Sequence, residues 1–250
     1  MAEERAVNSY PTGTKGLSGS AIKYIAIIAM TFDHIAWLFV PTTSVLGQII
    51  HFFGRITAPV MAYFITEGFH YTRDLRKYFL RLGIFAVISQ FAYNYYKTGD
   101  LLKISNMSVI TTLFLGLLAL WIYNSEKIPK YLKVPAIVLI LMLSRKCDWG
   151  ERIIWFVLAF EIPRGDRRSQ MISYAGTAFV LKILPVLKDA FEDPAILNYN
   201  WFIFGVLLPV PLLMLYSGQR GKGGKFSKWV FYVFYPLHLL IIAFIRYRLN

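Results

Sequence analysis

The stretch Lys23–Pro41, KYIAIIAMTFDHIAWLFVP, is long and apolar enough to cross a lipid bilayer, yet it carries Asp33 and His34 well inside it. A hydrocarbon core of about 30 Å is crossed by about 20 predominantly apolar helical residues. An ionisable side chain at that depth costs roughly 2.5–3.5 kcal/mol on insertion scales, so it is retained where it faces a bundle interior or a watery cavity. The stretch thus decides the class of the chain, a membrane protein, and its first helix offers a candidate active site.

Composition extends that reading to the whole chain. Hydrophobic residues make up 56% and charged residues 16% of 250 positions, with positive mean hydropathy; soluble domains lie nearer about 45–50% and about 25%. The 16 Tyr, 20 Phe and 6 Trp gather at the ends of apolar runs, where their rings settle at headgroup level. The net charge of +13 comes from short Lys and Arg clusters between apolar runs, which points to membrane topology and away from nucleic acid. One cysteine, Cys147, excludes an internal disulfide and a multi-cysteine metal site, and reads as an ordinary interfacial thiol. No P-loop, dinucleotide fingerprint, nucleophile elbow or His-Glu-x-x-His pair occurs, so soluble-enzyme classes fall away. The opening segment, with Glu3, Glu4, Arg5 and Lys15, lacks the apolar core and cleavage site of a removable signal peptide.

The 20-residue ruler places about nine spans, near 22–40, 46–69, 78–96, 106–123, 132–145, 152–163, 170–188, 200–217 and 229–247. The sixth is short, bounded by DWGER and EIPRGDRR. Lys and Arg in short loops stay cytoplasmic, and every loop after an even span is basic: Arg73 to Arg81, Lys127 to Lys133, Arg164 to Arg168 and Arg220 to Lys228, whereas the odd loops Lys97–Lys103 and Arg145–Arg152 carry mixed charge and Arg246 and Arg248 fall outside. The expected fold class is all-α, a polytopic transmembrane helix bundle of about nine spans with a cytoplasmic N-terminus and the C-terminus outside. Residues 1–21 form a cytoplasmic N-terminal segment and residues 22–250 a single transmembrane helical domain.

Lys23 and His34 lie about three helical turns apart and share a face with Ile27 and Met30. One helix then presents a cation at the cytoplasmic mouth and an imidazole toward the outer leaflet, able to deprotonate a hydroxyl or amine. Asp33 points about 100° away and is expected to pair with another helix. Arg55, in GRITAP of the second span, sits at matching depth and is its natural partner, in either a structural or a functional ion pair. Gly54 and Pro59 signal close helix approach or a kink. Glu67 closes that span, and TRDLRKYFLRL follows. There Arg73 and Arg76 suit the phosphates of a nucleotide or coenzyme A, or else serve topology and anionic lipid. Asp148, in CDWGER, either receives an amine or hydroxyl acceptor or orders a tight loop. His238, behind Pro236, is a site residue or a cap for the carbonyls that the proline frees.

In order along the chain, DHIAWLF, GRITAPVMAYFITEGFHYTRDLRKYFLRL, SNMSVITTLFLGLLAL, CDWGERIIWFVL and FYVFYPLHLL resemble the TraX family of polytopic bacterial membrane proteins. The resemblance covers most of the chain and implies a multi-pass protein of the bacterial cytoplasmic membrane. It also implies a membrane acetyltransferase drawing on cytosolic acetyl-CoA. A looser similarity to integral-membrane acyltransferases of the acyltransferase-3 type implies Lys23 with His34, and Arg73 with Arg76, as its basic-residue, histidine and Arg-x-x-Arg positions. The expected function is therefore transfer of an acetyl group from acetyl-CoA to an amine or hydroxyl acceptor on the outer side: a peptide N-terminus, a glycan or a small amine. His34 and Asp33 form the catalytic centre, with Lys23, Arg55, Glu67, Arg73, Arg76, Asp148 and His238 binding substrate or donor. The alternative is a non-enzymatic membrane assembly, conjugation or secretion factor whose buried ion pairs specify packing. A small-solute transporter using Asp33, Arg55 and His238 is a third reading.

Overall fold

Helices begin where a short polar side chain can satisfy the first free backbone N–H groups. Ser18, Ser44, Asp74 and Asp166 accept from Ala21, Gly47, Lys77 and both Arg168 and Ser169, and so start α1 (Gly19–Phe39), α2 (Val45–Gly54), α4 (Leu75–Thr98) and α8 (Arg167–Ala178). The computed structural model describes residues 16–221 and 224–248, without the side chains of 224–228. Most of the expected N-terminal segment, and Lys222, Lys225 and Lys228 of the last basic loop, lie outside those described residues and side chains. The remaining helices are α3 (Thr57–Tyr71), α5 (Val109–Asn124), α6 (Lys130–Ser144), α7 (Glu151–Glu161), α9 (Leu184–Glu192), α10 (Ile196–Asn200), α11 (Pro209–Met214) and α12 (Gly224–Arg248). Among the described residues no strand forms, only isolated bridges of Leu17 with Tyr216 and Met107 with Cys147.

Three apolar stretches are not continuous α-helix. The turn at Arg55 and Ile56 separates α2 from α3, because Pro59 has no N–H for the Arg55 carbonyl four residues back. A π-turn segment, Phe179–Ile183, joins α8 to α9 just before Pro185. A 3-10 segment, Trp201–Leu207, joins α10 to α11 ahead of Pro209.

Five helical stretches are long and apolar enough to cross a membrane: Gly19–Phe39, Val45–Tyr71, Arg167–Glu192, Ile196–Met214 and Trp229–Arg248. They coincide with the expected first, second, seventh, eighth and ninth spans. The four expected between them are less simple. The fourth to sixth correspond to helices of only 16, 15 and 11 residues, and α4 carries Arg76, Lys77, Arg81 and Lys97 along its length.

The chain folds as two compact units. One holds Ala62–Leu158 with the described part of Gly223–Asn250. In it α4 packs on α12 and α5, and α5 on α6. Ala119, Ile122, Ile140, Ile154 and Leu158 form its apolar core cluster. Helix α6 fully buries Ile140 and Ser144 and exposes Tyr131, Val134, Leu139 and Met142. Gln90 and Asn94 staple the loop after α4: Gln90 binds Asn106 O at 2.9 Å and Ser108 N at 2.9 Å, and Asn94 Nδ2 binds Leu101 O at 2.9 Å.

The other unit holds the described part of Asn8–Met61 with Ala159–Lys222. Here α1 packs on α2, α2 on the 3-10 segment, and α8 on α11 and the π-turn segment. Its chain entrance is clamped by backbone hydrogen bonds, Leu17 N to Leu215 O at 2.8 Å and Ser217 N to Leu17 O at 2.9 Å. Gly205 lies so close to Phe52 that any Cβ there would overlap the Phe52 carbonyl oxygen.

Candidate functional site

Helix α1 buries Ile22, Ala26, Ile27, Met30, Asp33 and Ala36, a stripe at the three- and four-residue spacing of one helical face. Asp33 therefore points inward, as an apolar residue would at its place. Helix α2 buries Gly47, Gln48, His51 and Gly54, again one face. At Gly54 an added Cβ would overlap the Asp33 carboxylate, so this glycine lets the two helices meet at the acid.

The Asp33–Arg55 pair expected from the sequence is present: Arg55 Nη2 lies 2.7 Å from Asp33 Oδ2. Two further donors reach the same carboxylate. His51 Nδ1 lies 2.8 Å from Oδ1, and Trp37 Nε1 donates to Oδ2 at 3.2 Å. Asp33, His51 and Arg55 are 7%, 0% and 8% exposed. Trp37 and Phe202 wall the group: their ring centroids lie 4.1 and 5.6 Å from that of His51, and the Arg55 guanidinium carbon lies 5.8 and 5.5 Å from their ring centres. Gln48, one turn before His51, ties α2 to the 3-10 segment. Its Nε2 donates to Thr42 O at 2.5 Å and Tyr199 O at 2.6 Å, and its Oε1 accepts from Phe202 N at 3.2 Å.

This arrangement compensates a buried charge. An ionised carboxylate accepts only, so the hydrogen between Asp33 and His51 sits on Nδ1. Arg55 balances Asp33, and a neutral imidazole leaves the trio uncharged, the arrangement that a low-dielectric interior favours.

The remaining expected site residues fall in both units. His34 is half-buried on the flank of α1, and its Nδ1 lies 2.9 Å from the Met30 carbonyl. Lys23 is half-buried near the start of α1, within electrostatic reach of Arg220. In the other unit, Glu67 is buried on α3, while Arg73 and Arg76 are exposed around the start of α4. Asp148 is half-buried in the turn before α7, where its Oδ1 accepts from Trp149 N at 3.1 Å and its carbonyl from Thr112 Oγ1 at 2.7 Å. His238 is buried on α12, its Nδ1 2.9 Å from Phe234 O, one turn back, and not at the Tyr232 carbonyl that Pro236 leaves without a helix donor. Among the described residues no group of three His, Cys, Asp or Glu is placed to hold a metal ion.

His51, Trp37, Gln48 and Phe202 escaped the sequence reading. The signal for two of them was there, since His51 precedes Arg55 by four residues and Trp37 follows Asp33 by four, the spacing that stacks helix side chains. Nothing local marks Phe202.

The profile of the TraX family, described as TraX protein, matches residues 18–246. The chain belongs to the TraX family. A relative from Dichelobacter nodosus, described as "Probable fimbrial assembly protein FimC, serogroup H1", is 33% identical over 211 residues, 82% of this chain and 86% of that one. No solved structure matches. These findings correct the expectation of an acyltransferase: the relative is named for fimbrial assembly and not for acyl transfer.

Proposed function

We propose that this TraX family chain is an integral membrane factor of fimbrial assembly, seated in the bacterial cytoplasmic membrane with its N-terminus and basic loops inside. The observation that carries the reading is the likeness, over most of both chains, to a protein named as a probable fimbrial assembly protein. The buried polar groups support it as architecture. Asp33, His51, Arg55 and Trp37 join α1 to α2, and Gln48 joins α2 to α10 and the 3-10 segment, so polar contacts fix how apolar helices meet. Between helices in lipid no hydrophobic drive selects one packing over another, and such contacts supply the selection.

The test is deletion of the gene in its own bacterium, with surface fimbriae counted by electron microscopy. Fimbriae should be lost while their subunit is still made, and the wild-type gene should restore them. Complementation by Lys23→Ala and His34→Ala should restore them as well. Normal fimbriation in the deletion strain would overturn the reading.

A further inference from the structure

Nε2 of His51 is buried and meets no hydrogen-bond partner among the described residues, although the other ring nitrogen is bound. Roughly 90% or more of buried polar groups in folded proteins are paired, so an open one calls for a missing partner. Asp33 fixes the hydrogen on Nδ1, and Arg55 already matches the Asp33 charge. Nε2 is then a lone-pair acceptor, and what it lacks is a donor.

The neighbouring donors are committed elsewhere. Trp37 Nε1 is held by Asp33, and the Gln48 amide by the Thr42 and Tyr199 carbonyls. A metal ion is a poor occupant because no further His, Cys, Asp or Glu is grouped with His51 and Asp33 to complete a ligand set. A cation is unsuited to a bare acceptor so near Arg55. A neutral hydroxyl meets both conditions: it donates one hydrogen to Nε2 and adds no charge. Trp37, whose ring lies against His51, is 43% exposed, so one wall of the site reaches the surface of the protein on a helix long and apolar enough to cross a membrane.

We infer that His51 Nε2 is the seat of a hydroxyl donor carried by a bound small molecule, either a water or a lipid hydroxyl such as that of a glycerol headgroup. The inference stands apart from the assembly reading, since it rests on the Asp33–His51 geometry alone.

The experiment is nitrogen-15 NMR of histidine-labelled protein, first in lipid nanodiscs and then after exhaustive exchange into detergent. His51 should show the Nδ1–H tautomer at neutral pH, as His34 and His238 do through their Nδ1 contacts to carbonyls, and its Nε2 signal should be displaced from the bare-acceptor position toward that of a hydrogen-bonded one. That signal should vanish in His51→Gln. If this variant does not fold, single variants of His34, His70 and His238 identify the signal as the one that none of them removes. A displacement that survives removal of lipid identifies water as the donor. A displacement that is lost with lipid and returns when lipid is restored identifies a lipid hydroxyl. A bare Nε2 in both media, an Nε2–H tautomer or an imidazolium would each overturn the inference.

Discussion

At Asp33 a single carboxylate accepts from three side chains on two helices, and the energetic consequence is lopsided. Removing one partner of a buried pair costs about 3–5 kcal/mol, whereas replacing both by apolar groups of similar size is often neutral. Asp33→Leu is therefore expected to lower stability by about 3–5 kcal/mol, read as a fall in the thermal unfolding midpoint in detergent, and the double variant Asp33→Leu/Arg55→Met should be more stable than the single. A double variant as unstable as the single would show that His51 and Trp37, not Arg55, depend on the acid. Gly54→Ala pushes a methyl against the same carboxylate and should cost about 1–3 kcal/mol in the same assay. The Asp33–Arg55 partnership was legible because two charges in apolar runs at matching depth have to meet. The emphasis on Lys23 with His34 came from counting turns and from the looser likeness to acyltransferase-3 type proteins. Burial decides between adjacent residues, and it places Asp33 on the inward face and His34 on its flank.

Among the elements, the 3-10 segment depends on a side chain from another helix. A 3-10 turn bonds more poorly than an α-helix, and Gln48 accepts from the Phe202 N–H of this one while donating to Tyr199 O of α10 just ahead of it and to Thr42 O before α2. Gln48→Ala leaves two carbonyls and the Phe202 N–H unmet and should cost about 1–3 kcal/mol, with hydrogen exchange rising first at Phe202. The helix starts add a dependence on acidity. Hydrogen bonds from the Ser169 hydroxyl, then from backbone N–H groups, hold the Asp166 carboxyl below the usual carboxylate range. Asp74 is held down in the same way, first by the Lys77 backbone N–H. Each is depressed in the folded state, so its stabilisation is present above the unfolded value of about 4 and is lost as pH falls through the folded one. Amide exchange at Arg168 and Ser169 should accelerate as pH drops below about 4, after correction for the intrinsic pH dependence, and Asp166→Asn should remove the residual response while keeping a cap. The capped starts could be read from Ser and Asp ahead of apolar runs. The π-turn and 3-10 segments could not, since proline marks where a helix is disturbed without saying which irregular turn results.

For the molecule as a whole, composition was enough to give an all-helical membrane protein, and the five long apolar stretches fall where hydropathy put them. The middle of the chain was harder because its helices are short or charged, and a ruler of about 20 residues cannot tell a tilted crossing from a buried packing helix. Washing membranes with alkaline carbonate should leave the protein in the pellet; release into the supernatant would contradict the spans. Cys147 gives a second handle. Burial pushes its thiol pKa up and encloses the side chain, so maleimide labelling at pH 7 should be slow in the native protein and rapid once it is unfolded in sodium dodecyl sulfate.

Helix α6 leaves most of its side chains exposed, burying Ile140 and Ser144 and packing Ala136, Ile137 and Leu141 partly against the core. A spectroscopist gains from that arrangement. Val134, Val138 and Met142 form a four-residue ladder of outward positions where a nitroxide or fluorophore replaces nothing that the fold uses. A set of such labels would read rung by rung whether α6 lies in lipid or in water, which separates a tilted crossing from a packing helix.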